Sequence, residues 1–195
     1  MKRRMDRPRV MGRARRALLL LASGLTSMAA AAHSASDAYL TLIEQPDTKT
    51  AGATQSVFQA QWDIALRDLD FVLKLDDNGD GDIVWGELRR HQQAIADYAY
   101  RYLRFSADGG SCRVAPMRQM VDDHADGAYA SLMFDVRCAG AAKRLTLDYR
   151  LFFAIDPSHR AILVFRNGDT VATSVLSSDK TRVDLELQTL RQGSN

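Results

Sequence analysis

Phe58-Gln59-Ala60-Gln61-Trp62-Asp63-Ile64-Ala65-Leu66-Arg67-Asp68-Leu69 changes its period midway, and that change decides the fold class. Phe58, Ala60, Trp62, Ile64 and Leu66 alternate with Gln59, Gln61, Asp63 and Arg67, with Ala65 as the apolar exception. Successive side chains of a strand point to opposite faces, so this is a strand with one buried face. An amphipathic helix fits the stretch less well. From Leu66 onward, Leu69, Val72 and Leu73 recur three and four apart, which is helical spacing and predicts a short helix.

That helix leads into Asp76-Asp77-Asn78-Gly79-Asp80-Gly81-Asp82-Ile83-Val84-Trp85-Gly86-Glu87, which matches D-x-[DN]-x-[DN]-G-x5-E without a gap. Ca²⁺ is a hard cation that takes roughly six to eight oxygens at about 2.3–2.6 Å. Asp76, Asn78 and Asp80 offer side-chain oxygens from positions 1, 3 and 5. Gly81 permits the sharp turn, and Asp82 offers its backbone carbonyl from position 7. Val84 at position 9 has no side-chain oxygen, which leaves that place to water. Glu87 closes the set with both carboxylate oxygens. Beyond it, Leu88, Ile95, Tyr98, Tyr102 and Phe105 mark one face of a longer helix, and Ser106-Ala107-Asp108-Gly109-Gly110 is expected to end it.

These residues resemble the EF-hand family over about 35 positions. The resemblance implies a helix–loop–helix at about 67–105, Ca²⁺ as the bound ion, and Asp76, Asn78, Asp80, Asp82 and Glu87 as its ligands. It also implies that Ile83, at position 8, packs against a partner loop, yet only one loop matches. Asp122-Asp123-His124-Ala125-Asp126-Gly127 begins in the same way, but its twelfth residue, Met133, cannot ligate a hard cation.

The rest reads as antiparallel β structure. Residues 38–43 form a first strand, and polar residues 47–54 a turn. Ala128, Ala130, Leu132, Phe134, Val136 and Cys138 alternate with more polar neighbours, as do Leu145, Leu147, Tyr149, Leu151, Phe153 and Ile155. Residues 162–165, 171–176 and 183–187 follow, separated by turn signals such as Asn167-Gly168-Asp169. The expected fold is α+β: an antiparallel β sandwich or twisted sheet carrying the inserted helix–loop–helix.

Residues 1–32 read as a secretory signal. A basic stretch precedes Ala17-Leu18-Leu19-Leu20-Leu21-Ala22, and Ala30-Ala31-Ala32 suits cleavage after Ala32; a cut as late as Ala35 is the alternative. The mature chain, residues 33–195, then forms a single β-rich domain outside the cytoplasm, periplasmic or secreted. No later stretch holds about 18 consecutive apolar residues, so no transmembrane segment is expected there. Removing the leader takes eight of 26 Lys and Arg and one of 24 Asp and Glu, leaving 18 against 23. A body near −5 argues against nucleic acid as a partner, because phosphate binding needs a basic face. Export also makes a disulfide the natural state of Cys112 and Cys138; neither lies in a Cys-x-x-Cys pair.

Over most of its mature length the chain also resembles a family of exported bacterial proteins found with small membrane permeases of the hydrogenase and urease accessory type. Ser36-Asp37-Ala38-Tyr39-Leu40, Trp62-Asp63-Ile64-Ala65-Leu66-Arg67-Asp68-Leu69-Asp70, the acidic loop and Asp156-Pro157-Ser158-His159-Arg160 carry this likeness. It implies a membrane permease or another envelope protein as partner. Two functional readings follow: an exported protein whose single EF-hand uses Ca²⁺ structurally or as a sensor, or an accessory domain that presents nickel or another metal through His124 and His159. Asp122, Asp123, His124 and Asp126 read first as a solvated loop and second as a transition-metal site. His91 has no second ligand close in sequence. No catalytic motif stands out, so an enzyme is not expected.

Overall fold

The computed structural model describes residues 36–46, 48–50 and 53–192. The leader segment lies outside these residues. Strands β1 (Asp37–Glu44), β2 (Thr48–Thr50) and β3 (Ala53–Ala65) lead into helices α1 (Leu66–Leu73) and α2 (Trp85–Arg101). There follow β4 (Leu103–Ala107), β5 (Gly110–Ser111), β6 (Arg113–His124), β7 (Gly127–Ala139), β8 (Arg144–Tyr149), β9 (Arg160–Asn167), β10 (Thr170–Leu176), β11 (Arg182–Glu186) and α3 (Leu187–Gln192).

The strands form two sheets. One has the order β10-β9-β1-β3-β7-β6, with β2 beside β3; it is antiparallel except where β1 runs parallel to β9. The other, β11-β8-β4-β5, is antiparallel throughout. The α+β expectation holds. Period-two alternation sets which face is buried: Ala38, Leu40 and Leu42 of β1, Phe58, Ala60, Trp62 and Ile64 of β3, and Leu132, Phe134 and Val136 of β7 all enter one apolar core. Leu145, Leu147 and Tyr149 of β8 join it from the second sheet. Ring pairs bridge the two sheets, with centroids 5.7 Å apart for Trp62 and Tyr149 and 6.2 Å for Phe105 and Phe134. The helices share this core through Leu69, Leu88, Ile95 and Ala99.

Several expected boundaries are corrected. The second helix stops at Arg101, and Phe105 lies in β4; Asp108 and Gly109 form the β4–β5 turn and do not cap a helix. The alternation through Ile155 does not continue as strand. β8 ends at Tyr149, and Phe152 turns the chain with a left-handed φ of 62°. The polar stretch after Asp47 contains the short β2 and the start of β3. Residues 122–124 belong to the long strand β6, paired with β7 around the turn at Ala125 and Asp126. Cys112 and Cys138 are joined by a disulfide. Among the described residues no helix is long and apolar enough to cross a membrane.

Candidate functional site: an acidic loop and a second ligand cluster

The acidic loop hangs between α1 and α2. α1 ends at Lys74, whose left-handed backbone (φ 54°) returns its N–H to the Asp70 carbonyl at 2.9 Å. Asp70 Oδ1 then accepts from the N–H of Leu75 (2.7 Å) and Asp76 (3.1 Å). Leu75 is fully buried, so the residue before position 1 is pinned in the core.

Within the loop the acidic side chains fold back on the backbone. Asp76 accepts from Gly79 N–H at 2.7 Å through Oδ1 and from Gly81 N–H at 2.8 Å through Oδ2. Asn78 Oδ1 accepts from Asp80 N–H (2.8 Å), and Asp80 Oδ1 from Asp82 N–H (2.9 Å). Gly79 and Gly81 sit at φ 72° and 90°, where an L side chain is strained. The Gly81 amide, then that of Gly79, holds the Asp76 carboxyl below the usual carboxylate range.

Glu87 ties the loop shut. The residue is 1% exposed; Oε1 accepts from Asp77 N–H at 3.0 Å and Oε2 from Val84 N–H at 2.9 Å. One carboxylate on the first turn of α2 thus bridges positions 2 and 9. Val84 precedes the helix but has no side-chain acceptor, so only the Glu87 half of a capping box forms, and Glu87 N–H turns to the Val84 carbonyl at 3.0 Å. Ile83 packs on the protein's own core. Asp77 faces α2, where Arg90 (Nε at 2.7 Å) and His91 (Nε2 at 2.8 Å) hold it. Those contacts, His91 first, lower the Asp77 carboxyl. His91 therefore has a carboxylate partner that sequence distance concealed.

Among the described residues, the three Asp, Glu, His or Cys side chains whose ligand atoms all lie within 4.8 Å of one another are not in the loop. They are Asp63, Asp122 and His124, from β3 and β6. Asp126, grouped with them by sequence, is instead occupied by Tyr129 and Arg67. By sequence Asp63 stands only on the polar side of its strand. β7 lies between β3 and β6, and that pairing supplies the third residue from about 60 positions away.

His159 has different surroundings. It is fully buried, with Nδ1 2.7 Å from Ser36 Oγ and Nε2 2.8 Å from the Tyr149 hydroxyl. Ser36 donates to Asp68 Oδ2 at 2.8 Å, so its oxygen accepts from Nδ1–H and Nε2 accepts from Tyr149. Burial pushes His159 down to about 4 and pushes the Asp68 carboxyl up. Both ring nitrogens of His159 are spent, so it shares no ligand set with His124. The Asp156 side chain is taken by Ser158, not by His159. A cavity of about 340 Å³ lies beside this relay, between Arg67 and Phe71 of α1 and the turn at Phe152 and Ile155.

Compared with models of known protein families and with curated proteins, the chain finds no match.

Proposed function

We propose that this chain is an exported calcium-binding protein with a single EF-hand loop. Asp76, Asn78, Asp80 and Glu87 offer side-chain oxygens and Asp82 its carbonyl, an all-oxygen set that suits a hard cation. The observation that carries this reading is the Glu87 carboxylate, buried and already joined to the amides of Asp77 and Val84. The left-handed Gly79 and Gly81 give a backbone curled around the same carboxylates, which fits the group. A bound Ca²⁺ supplies the positive charge that lets these carboxylates converge. This chain's residues do the positioning: Leu75 and Ile83 hold the loop to the core, while Arg90 and His91 keep Asp77 out of the ligand set. The ion then acts structurally, by fastening α1 to α2, or as a sensor of Ca²⁺ outside the cytoplasm.

Export rests on the basic and apolar leader, and the Cys112–Cys138 bond suits an oxidising compartment. A permease or another envelope protein is the partner class that the family likeness supports. Trp85, at loop position 10 and 55% exposed, should sensitise Tb³⁺ luminescence. Purified protein should show a Tb³⁺ signal that Ca²⁺ displaces and a melting temperature that rises at millimolar Ca²⁺. Absence of both overturns the proposal.

A further inference from the structure

We propose that Asp63, Asp122 and His124 hold a divalent transition-metal ion, at a site separate from the acidic loop. The three sit on one face of the larger sheet. In the register, Asp63 of β3 lies opposite Ser131 of β7, and Asp122 and His124 of β6 lie opposite Tyr129 and Gly127. His124 Nε2 is 3.7 Å from Asp63 Oδ2 and 4.0 Å from Asp122 Oδ2. Both distances are too long for a hydrogen bond. Ligands sharing one ion at about 2.0–2.2 Å lie roughly 3–3.5 Å apart, so each of these two pairs needs to close by about 1 Å or less, and the two carboxylates, within 4.8 Å of one another, by less than about 2 Å.

A second, independent observation concerns Asp63. Its side chain is 10% exposed, yet among the described residues no Lys or Arg pairs with it. Its hydrogen-bond donor is the neutral amide of Gln61, 3.0 Å from each carboxylate oxygen. A carboxylate withdrawn this far from water calls for a positive partner, and among the described residues the basic group that approaches it within 4.0 Å is the His124 imidazole. The surroundings also fix the ligands. Tyr129 stacks on His124 with centroids 4.1 Å apart, and Tyr39 approaches to 5.1 Å. Asp122 Oδ1 accepts from Asp123 N–H at 3.0 Å, which leaves Oδ2 towards His124.

The donor set names the ion class. One imidazole nitrogen and two carboxylate oxygens suit borderline cations such as Zn²⁺ or Co²⁺, whereas Ca²⁺ takes oxygen alone. Three protein ligands leave a coordination position open to water or another small ligand.

The test uses the purified mature protein in millimolar Ca²⁺, titrated with Zn²⁺ by calorimetry and with Co²⁺ by visible absorption. One saturable equivalent is expected. His124→Gln, Asp63→Asn and Asp122→Asn should each weaken it by at least about tenfold, while Glu87→Gln and His91→Gln leave it intact. No saturable binding, or binding that survives His124→Gln, overturns the site and leaves a simple histidine–carboxylate pair. Should Asp63→Asn fail to fold, His124→Gln and the exposed Asp122→Asn decide, with the melting curve as the folding control. Loss of Ca²⁺ binding in Glu87→Gln with Zn²⁺ binding retained separates this proposal from the calcium reading.

Discussion

Glu87→Gln isolates the closing carboxylate with almost no change of shape. In the parent, two oxygens accept two backbone N–H groups, from Asp77 and Val84. The amide of Gln keeps one acceptor and turns its NH₂ towards the other N–H, donor against donor. A buried N–H left without an acceptor costs about 1–3 kcal/mol; these two are part-buried, so the low end of that range applies. The lost negative charge works the other way, because it relieves repulsion from Asp76 and Asp80. Asp76 is half-buried and Asp80 exposed, and a neighbouring unit charge across water contributes about 1 kcal/mol, so the loss of the hydrogen bond should win. A net destabilisation of about 1 kcal/mol is expected in chelator, a fall of about 2–4 °C in melting temperature for a domain of this size. Millimolar Ca²⁺ should widen the gap, since the parent gains about 1.4 kcal/mol for each tenfold excess over Kd and the variant should gain far less. Thermal unfolding of both proteins, with chelator and with Ca²⁺, measures all four values. Equal melting in chelator refutes the bridging role drawn from the two hydrogen bonds, and equal Ca²⁺ responses refute Glu87 as a ligand.

Gly81→Ala meets no atom within 4 Å, so its cost is that of placing an L residue at φ 90°; about 1–2 kcal/mol is expected, and unchanged melting and Tb³⁺ binding would contradict it. His159 should titrate near 4 by NMR. A histidine whose folded value is lowered leaves stability untouched above its unfolded value of 6.5 and drains it as pH falls from there towards 4, by roughly 3 kcal/mol; denaturant midpoints that stay level across that window would contradict the buried neutral state. The Gly81 and Gly79 amides hold the Asp76 carboxyl below its ordinary value of 3.8, so Asp76 should still be ionised and able to ligate Tb³⁺ at pH 5; an Asp76→Asn variant that binds Tb³⁺ as the parent does at pH 5 would contradict it. Neither cysteine should react with an alkylating agent until reductant is added, and reduction should cost about 3–4 kcal/mol for a loop closed across 26 positions; two alkylated thiols without reductant would show the bond to be absent.

What was legible in the sequence was local. Strand β3 and helix α1 declared themselves because period two and period 3.6 depend only on which residues stand near one another. The acidic loop was legible for the same reason: its candidate ligands lie within 12 consecutive residues. The misread places are those where two patterns coexist. Tyr98, Tyr102 and Phe105 fit a helix face, but Leu103, Phe105 and Ala107 fit a strand equally well, and pairing with β8 decides for the strand. Strand β6 escaped notice because it lies at the edge of its sheet and a bulge between Pro116 and Arg118 breaks its alternation. β8 stops short of Leu151 because the chain turns back at Phe152.

The remaining features were decided by tertiary structure alone. Asp63 meets His124 only because β7 pairs with β3 on one side and β6 on the other, a juxtaposition no spacing rule encodes. His159, a candidate metal ligand by sequence, is buried by packing and matched with Ser36, 123 positions away. Ile83 likewise packs on the core, where the EF-hand likeness implies a partner loop. Local chemistry is written in neighbouring letters, whereas burial and cross-strand company depend on how the hydrophobic faces close over one another.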